Sequence, residues 1–89
     1  MAMAAPEIIE GYVVEDPYRP GPAEARLATY GVHVWALVEY YQQAVGGDIE
    51  RVAGDYAIPE EAAEAALAYY RAHKRVIDAR ILLNNASAD

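Results

Sequence analysis

The longest regular pattern of apolar positions lies between Pro59 and Asn85, a stretch that no further proline or glycine interrupts. Five apolar residues in it share one helical face: Ala63, Leu67, Tyr70, Ile77 and Ile81. Pro59 suits the first position of a helix, and Glu60 and Glu61 lie where the helix dipole is positive. The pattern predicts one long helix, or two helices with a kink near His73.

A single helix over this stretch would be roughly 40 Å long at about 1.5 Å per residue. A chain of this size has a radius of gyration of about 12 Å, so the C-terminal half of the helix would project as an arm. The arm would expose five apolar residues: Val76, Ile77, Ile81, Leu82 and Leu83. Because soluble monomers seldom expose that much contiguous apolar surface, we expect a second chain to cover the arm.

Two earlier stretches have the composition of strands. Ile8 to Val14 is rich in β-branched residues and predicts a strand with Gly11 as a bulge. Residues 25–33 predict a second strand, because Thr29 and its neighbours favour an extended backbone. Residues 16–22 contain three prolines and therefore predict a loop between the strands.

Two shorter helices are predicted before Pro59. The first spans Val34 to Val45, and its apolar stripe consists of Val34, Leu37, Val38, Tyr41 and Val45. Gly46 and Gly47 end it by supplying the positive φ of a C-cap. Asp48 then caps a second helix, whose apolar positions are Ile49, Val52, Ala53 and Tyr56.

These elements predict a mainly α fold, namely a helix-turn-helix-like domain of three to four helices with one or two short N-terminal β-strands and a long C-terminal helix. Residues 1–24 would form an N-terminal strand and a proline-rich loop, and residues 25–89 would form the helical domain. Four large residues are expected in the core or at a dimer contact: Trp35, Tyr41, Leu67 and Tyr70.

Charge is unevenly distributed along the chain. The net charge is −7, and residues 1–69 hold twelve of the fourteen carboxylates but only three basic residues. The remaining basic residues are Arg71, Lys74, Arg75 and Arg80. An acidic body repels a phosphate backbone, which disfavours autonomous nucleic-acid binding, although a local basic patch could still act. The simpler interpretation is a solvated face with helical ion pairs, such as Lys74 with Asp78.

Side chains suited to catalysis or metal binding are scarce. The chain has no cysteine, and its only histidines, His33 and His73, lack the spacing of a metal site. Its only serine is Ser87 and its only threonine is Thr29. We therefore expect no enzymatic activity, no metal and no cofactor. No segment has the ~20 apolar residues of a membrane span, so we also expect no membrane partner and a cytoplasmic location.

Asp48 to His73 has the outline of a helix-turn-helix unit. A DNA reader usually presents Arg, Lys, Asn or Gln at the start of its second helix. This chain instead has Glu60, Glu61 and Glu64 there. Carboxylates at that end would face phosphates, so we expect the unit to serve mainly as a packing scaffold.

Two stretches resemble a known family. One is Ala25 to Trp35, Ala-Arg-Leu-Ala-Thr-Tyr-Gly-Val-His-Val-Trp, and the other is Ile58 to His73, which contains the block Ala-Leu-Ala-Tyr-Tyr-Arg-Ala-His. Over roughly residues 25–82 the chain resembles the prokaryotic family named domain of unknown function 433, whose members are regarded as VapB-type antitoxin-like proteins. It departs from the family pattern at residues 29–31, where Thr-Tyr-Gly replaces Gly-Thr-Arg.

The resemblance implies a helix-turn-helix-like fold, dimerisation and a gene neighbour that encodes a PIN-like ribonuclease toxin. Together with the predicted arm, it leads to the hypothesis of a non-enzymatic antitoxin-like homodimer that binds such a toxin through its C-terminal helix. The residues expected to contact the partner are Arg71, Lys74, Arg75, Ile77, Arg80 and Ile81. Two alternatives remain: a DNA-binding autorepressor, and a structural homodimer with an unrelated partner.

Overall fold

A computed structural model describes residues 11–88, with the backbone alone for residues 87 and 88. Over this range the chain is mainly helical, as predicted. Its helices are α1 (Val34–Gln43), α2 (Ile49–Tyr56), α3 (Glu60–Ala72) and α4 (Lys74–Ala88). They are preceded by strand β1 (Val13–Val14), a 3-10 turn (Pro22–Glu24) and strand β2 (Arg26–Leu27).

The two strands are shorter than the sequence predicts. β1 pairs antiparallel with β2, with Val13 opposite Leu27. Of the first predicted strand, residues 8–10 lie outside the described part of the chain, and Gly11 lies in a turn. The second predicted strand is wrong beyond Leu27, because the chain reverses there. Gly31 adopts a positive φ of 73°, and its N–H donates a 2.8 Å hydrogen bond to the Leu27 carbonyl.

The predicted boundaries of α1 and α2 are largely confirmed. α1 ends at Gln43, two residues before the predicted Val45. Gly46 and Gly47 follow with the predicted positive φ, at 61° and 86°. The Asp48 side chain caps α2 by accepting a 3.1 Å hydrogen bond from the Arg51 N–H, which satisfies one of the free donors of the first turn.

The turn between α2 and α3 consists of Ala57, Ile58 and Pro59. Ala57 adopts the left-handed conformation, with φ 58° and ψ 46°, which residues other than glycine rarely occupy. Pro59 is the N-cap of α3 and not its first helical residue, since its ψ is 149°. Glu60 and Glu61 lie in the first turn, as predicted.

The helical segment is divided at His73, which confirms the alternative of two helices. His73 has φ −131° and ψ 39°, outside the helical region. α4 then packs against α1 and the 3-10 turn. The prediction of a projecting arm that exposes Ile77 and Ile81 is wrong, because these side chains are 0% and 7% exposed and belong to the core. The radius of gyration is 12.4 Å.

One hydrophobic core joins all four helices and β2. Its members are Ala25, Leu27, Val34, Leu37, Val38, Val52, Ala53, Ile58, Ala62, Ala63, Ala66, Leu67, Tyr69, Tyr70, Ile77 and Ile81. Leu67 and Tyr70 are buried there as predicted, while Trp35 and Tyr41 are partly buried against it. The small side chains of Ala62 and Ala66 on α3 let its neighbours approach closely.

Candidate protein-interaction surface

The solvent side of α4 is largely apolar. Six exposed residues at helical spacing form this side, called here the outer face: Arg75, Val76, Ala79, Leu82, Leu83 and Ala86. Leu82 is 70% exposed, Leu83 62% and Val76 43%. Single exposed apolar residues are common on proteins, but a contiguous row of them makes this face a candidate interaction surface.

The opposite side of α4 is also apolar, since Ile77 and Ile81 lie in the core. Most surface helices carry an apolar stripe on one side and polar residues on the other. α4 has two such stripes, and the rest of the chain covers only one. The outer face therefore has the apolar composition of a buried helix surface although it is exposed.

A shallow groove runs beside the outer face. It separates α4 from the 3-10 turn and has a volume of about 630 Å³. Its lining consists of Ala23, Arg75, Val76, Ala79, Arg80 and Leu83. Because most of these lining side chains are aliphatic, the groove extends the apolar surface of α4 and does not form a polar ligand site.

Three cations lie where α3 meets α4, and they are called here the cationic corner: Arg71, Lys74 and Arg75. All three residues are exposed. Lys74 Nζ is 2.8 Å from Asp78 Oδ2, and this hydrogen bond raises the pKa of the Lys74 ammonium. Arg71 and Arg75 form no ion pair with the side chains described between residues 11 and 86. Their guanidinium groups are available to an outside carboxylate.

Asp78 ties the cationic corner to the core. Its Oδ1 accepts a 2.7 Å hydrogen bond from the buried Tyr70 hydroxyl, and its Oδ2 accepts the bond from Lys74. These two donors, Lys74 first and then Tyr70, lower the pKa of the Asp78 carboxyl below its ordinary value. The Asp78 carboxylate therefore helps to fix the start of α4 relative to the end of α3.

Arg80 does not belong to the exposed cations. Its Nε donates a 2.8 Å hydrogen bond to Glu24 Oε2, and the side chains of this pair are 23% and 20% exposed. The guanidinium also lies 4.3 Å from the centroid of the Trp35 ring, within the range of a cation–π contact. Arg80 is thus engaged within the chain, and Ile77 and Ile81 are buried. The predicted contact of these three residues with a partner stays a prediction.

The start of α3 is acidic, as the sequence indicates. Glu60, Glu61 and Glu64 are all exposed there. The Tyr12 hydroxyl donates a 3.0 Å hydrogen bond to Glu61 Oε1, which raises the pKa of the Tyr12 hydroxyl. In the helix-turn-helix outline this end of α3 would approach DNA, and its charge opposes that approach.

A second surface groove lies between α1 and α2. Tyr40 and Tyr56 pack edge to face there, with ring centroids 5.5 Å apart. The Tyr40 hydroxyl donates a hydrogen bond to Asp55, which raises the pKa of that hydroxyl. Glu39 and Gln43 complete the rim. This arrangement holds the two helices together, and the Tyr40 hydroxyl already has a partner in Asp55.

Among residues 11–88, no cluster of three or more histidine or carboxylate side chains is placed to hold a metal ion. No helix in that part of the chain is long and apolar enough to cross a membrane.

The structure brings together only part of the predicted contact set. Arg71, Lys74 and Arg75 form one exposed cluster, while Ile77, Arg80 and Ile81 turn inward. Leu82 and Leu83 lie in the predicted arm but outside the predicted contact set. They are the most exposed of the five apolar residues of that arm. The contact of Arg80 with Glu24 could not be read from the pattern, since the two residues are 56 positions apart.

No protein-family model matches the chain, and neither a curated protein nor a solved structure matches it. Its membership of the antitoxin-like family therefore stays a prediction.

Proposed function

We propose that this protein is a non-enzymatic, antitoxin-like interaction module that self-associates through the outer face of α4 and binds a partner protein through the cationic corner at the start of that helix. The observation that carries the proposal is that an uncovered apolar helix face, suited to self-association, lies beside three exposed cations that a partner protein can contact. The proposal includes a cytoplasmic location.

The proposed partner is a PIN-like ribonuclease toxin, the class implied by the resemblance of residues 25–82 to the antitoxin-like family. The active site of such a nuclease is a carboxylate cluster that holds a metal ion. An arginine that entered it would pair with the carboxylates, because guanidinium binds carboxylate in a bidentate geometry. Arg71 and Arg75 are the candidates, since Arg80 is engaged with Glu24.

A co-expression experiment tests this proposal. The chain is expressed with a PIN-like ribonuclease encoded beside its gene, and the complex is measured by size exclusion with light scattering. We expect a defined complex and rescue of growth. Reversal of both arginines, Arg71→Glu with Arg75→Glu, is expected to weaken the complex by at least tenfold, because two attractive contacts become repulsive.

The matched control reverses two exposed cations elsewhere on the chain, Arg19→Glu with Arg51→Glu. It changes the net charge by the same amount and is expected to leave the complex intact. Equal loss of binding in both double variants would mean that net charge, and not the cationic corner, governs the association. Absence of any complex with the wild-type chain would overturn the proposed function.

A DNA-binding autorepressor is the second candidate, and the α2–turn–α3 unit favours it. The eight residues of α2 and the thirteen of α3 flank a turn of three residues, which matches the helix-turn-helix outline. The acidic start of α3 argues against groove reading, so contact would have to come from paired cationic corners. Binding to its own promoter DNA that weakens steeply with salt would support this candidate, and absence of binding at low salt would reject it.

A further inference from the structure

We propose that the outer face of α4 is the contact between two copies of this chain, which pack their α4 helices antiparallel about a two-fold axis close to Ala79 and Leu82. This inference deepens the self-association contained in the proposed function and does not depend on what the cationic corner binds. The argument starts from how residue size and charge are distributed along α4.

Side-chain size is graded along the outer face. The smaller residues Val76 and Ala79 lie in its first half, and the larger Leu82 and Leu83 follow them. Antiparallel packing brings the first half of one helix against the second half of the other. Leu82 then meets Ala79 of the other copy, and Leu83 meets Val76, so that large side chains fill the space beside small ones. Parallel packing would crowd the leucines together and leave a gap between the alanines.

Charge favours the same orientation. Arg75 is the one charged residue of the outer face, and the rest of the cationic corner lies beside it at the start of α4. Parallel packing would bring the two cationic corners together, where like charges repel. In the antiparallel arrangement each Arg75 lies opposite Ala86 of the other copy, and the two Arg75 Cα atoms are roughly 16 Å apart along the helices. The acidic start of α3 takes no part in this contact.

The second copy is also the occupant that the low charge of this face fits best. The chain has a net charge of −7, so a partner selected by charge would contact the acidic side chains of the surface or the cationic corner. The outer face presents aliphatic side chains and one cation at its edge. Because a single helix face buries little surface, the interface is small and the affinity should be modest. A dimer with a dissociation constant in the micromolar range is expected, and measurements should span concentrations on both sides of it.

The mass in solution gives the first test. The full chain, 9.7 kDa as a monomer, is expected to reach twice that mass by sedimentation equilibrium at high micromolar concentration. Leu82→Glu, at a site that is 70% exposed, is expected to give a folded monomer by placing a carboxylate in the contact. Tyr18→Glu is the control, since Tyr18 is 91% exposed but lies outside α4. A monomeric wild-type chain, or a dimer that both variants leave unchanged, would overturn the inference.

The orientation of the two α4 helices is tested by cross-linking. Because the chain has no native cysteine, only the introduced cysteines can react. One chain carries Arg75→Cys and a second, differently tagged chain carries Ala86→Cys, and the mixture is treated with a short bismaleimide. The antiparallel contact predicts a mixed cross-linked dimer, with little product from either chain alone. Products only between like chains would show parallel packing and overturn the inference. The addition of Leu82→Glu to both chains is expected to remove the mixed product.

The outcomes separate this inference from the proposed function. A monomeric chain that still binds the ribonuclease would overturn the dimer and leave the proposed function standing. A dimer linked through α4 that binds no ribonuclease would do the reverse.

Discussion

The Tyr70 hydroxyl donates a 2.7 Å hydrogen bond to Asp78, across the break that separates α3 from α4. Tyr70 is only 8% exposed, and its hydroxyl also accepts a 3.3 Å bond from the Gln42 side chain. One phenol thus connects α1, α3 and α4. Removal of the Tyr70 hydroxyl oxygen should therefore weaken the contacts between all three helices.

Tyr70→Phe is therefore expected to destabilise the protein by about 1 kcal/mol, because it removes these hydrogen bonds and keeps the buried ring. Urea unfolding followed by circular dichroism measures the change. Tyr30→Phe is the control, since Tyr30 is 40% exposed, and it should leave the unfolding midpoint unchanged. Equal midpoints for Tyr70→Phe and the wild type would mean that water replaces the lost contacts.

Acid should weaken the fold partly through Asp78. The pKa of this carboxyl is lowered in the folded chain by Lys74 and Tyr70, so the unfolded chain takes up the proton first as pH falls. Asp78 therefore stabilises the fold above its unfolded pKa near 3.8, and this contribution disappears as pH falls through the lower folded value. Asp78→Asn is expected to flatten the dependence of the urea midpoint on pH below about pH 5.

The pKa of Asp16 is also lowered in the folded chain, chiefly by the Tyr18 N–H, so Asp16→Asn serves as a comparison. It should flatten the same curve independently, and the double variant should flatten it further. A wild-type curve that Asp78→Asn leaves unaltered would contradict the role given to Asp78.

Truncation of single side chains on α4 should have different effects on stability at its buried side and at its exposed side. Ile77→Ala is expected to cost about 2–4 kcal/mol, because Ile77 is fully buried and the change leaves a cavity. Leu82→Ala should change the stability of the monomer by less than about 0.5 kcal/mol. Chemical denaturation at low protein concentration keeps self-association out of the comparison. Similar losses for both variants would mean that α4 packs differently in solution.

The contact of Arg80 with Trp35 and Glu24 can be followed optically, since Trp35 is the only tryptophan. Arg80→Met keeps the aliphatic stem but removes the ion pair and the cation–π contact, and it is expected to cost about 1–2 kcal/mol and shift the emission of Trp35. Arg80→Lys keeps the charge without the planar guanidinium and should recover only part of the loss. An unchanged emission spectrum in Arg80→Met would contradict the contact between the Arg80 guanidinium and the Trp35 ring.

A substitution at Ala57 is expected to stabilise the protein. Its φ of 58° ends α2 in the left-handed region, where a Cβ atom is unfavourable. Ala57→Gly is expected to raise the free energy of unfolding by about 0.5–1 kcal/mol, because the strain relieved exceeds the added freedom of the unfolded chain. Gly54 lies inside α2, so Gly54→Ala should also stabilise the protein, through helix propensity. A destabilised Ala57→Gly variant would show that the turn is not strained.

The helices were predictable because their signals are local. Asp48, the Gly46-Gly47 pair and the apolar spacing of α1 and α2 act within one or two turns, and the structure confirms them. The break at His73 was harder to place, since no glycine or proline marks it. What divides the segment is the gain from burying Ile77 and Ile81 against α1, which depends on distant residues.

The strands and the exposed surface also depend on residues distant in sequence, which local patterns do not reveal. β-rich composition at residues 25–33 gave a long strand, but Gly31 lets the chain reverse after Leu27. The cationic corner was predictable from charge alone. The predicted contact set also includes Arg80, because the sequence cannot show that Glu24 and Trp35 lie beside this residue in the fold.

The two apolar sides of α4 raise the question of what fixes the rotation of this helix about its own axis. Either pair, Ile77 with Ile81 or Leu82 with Leu83, could fill an apolar space, and the hydrophobic effect alone distinguishes them weakly. Arg80 favours the observed rotation, because its guanidinium contacts Glu24 and Trp35 while the isoleucines point inward. A largely buried ion pair of modest strength thereby favours one of two competing rotations, and with it the side of the helix that remains exposed to solvent.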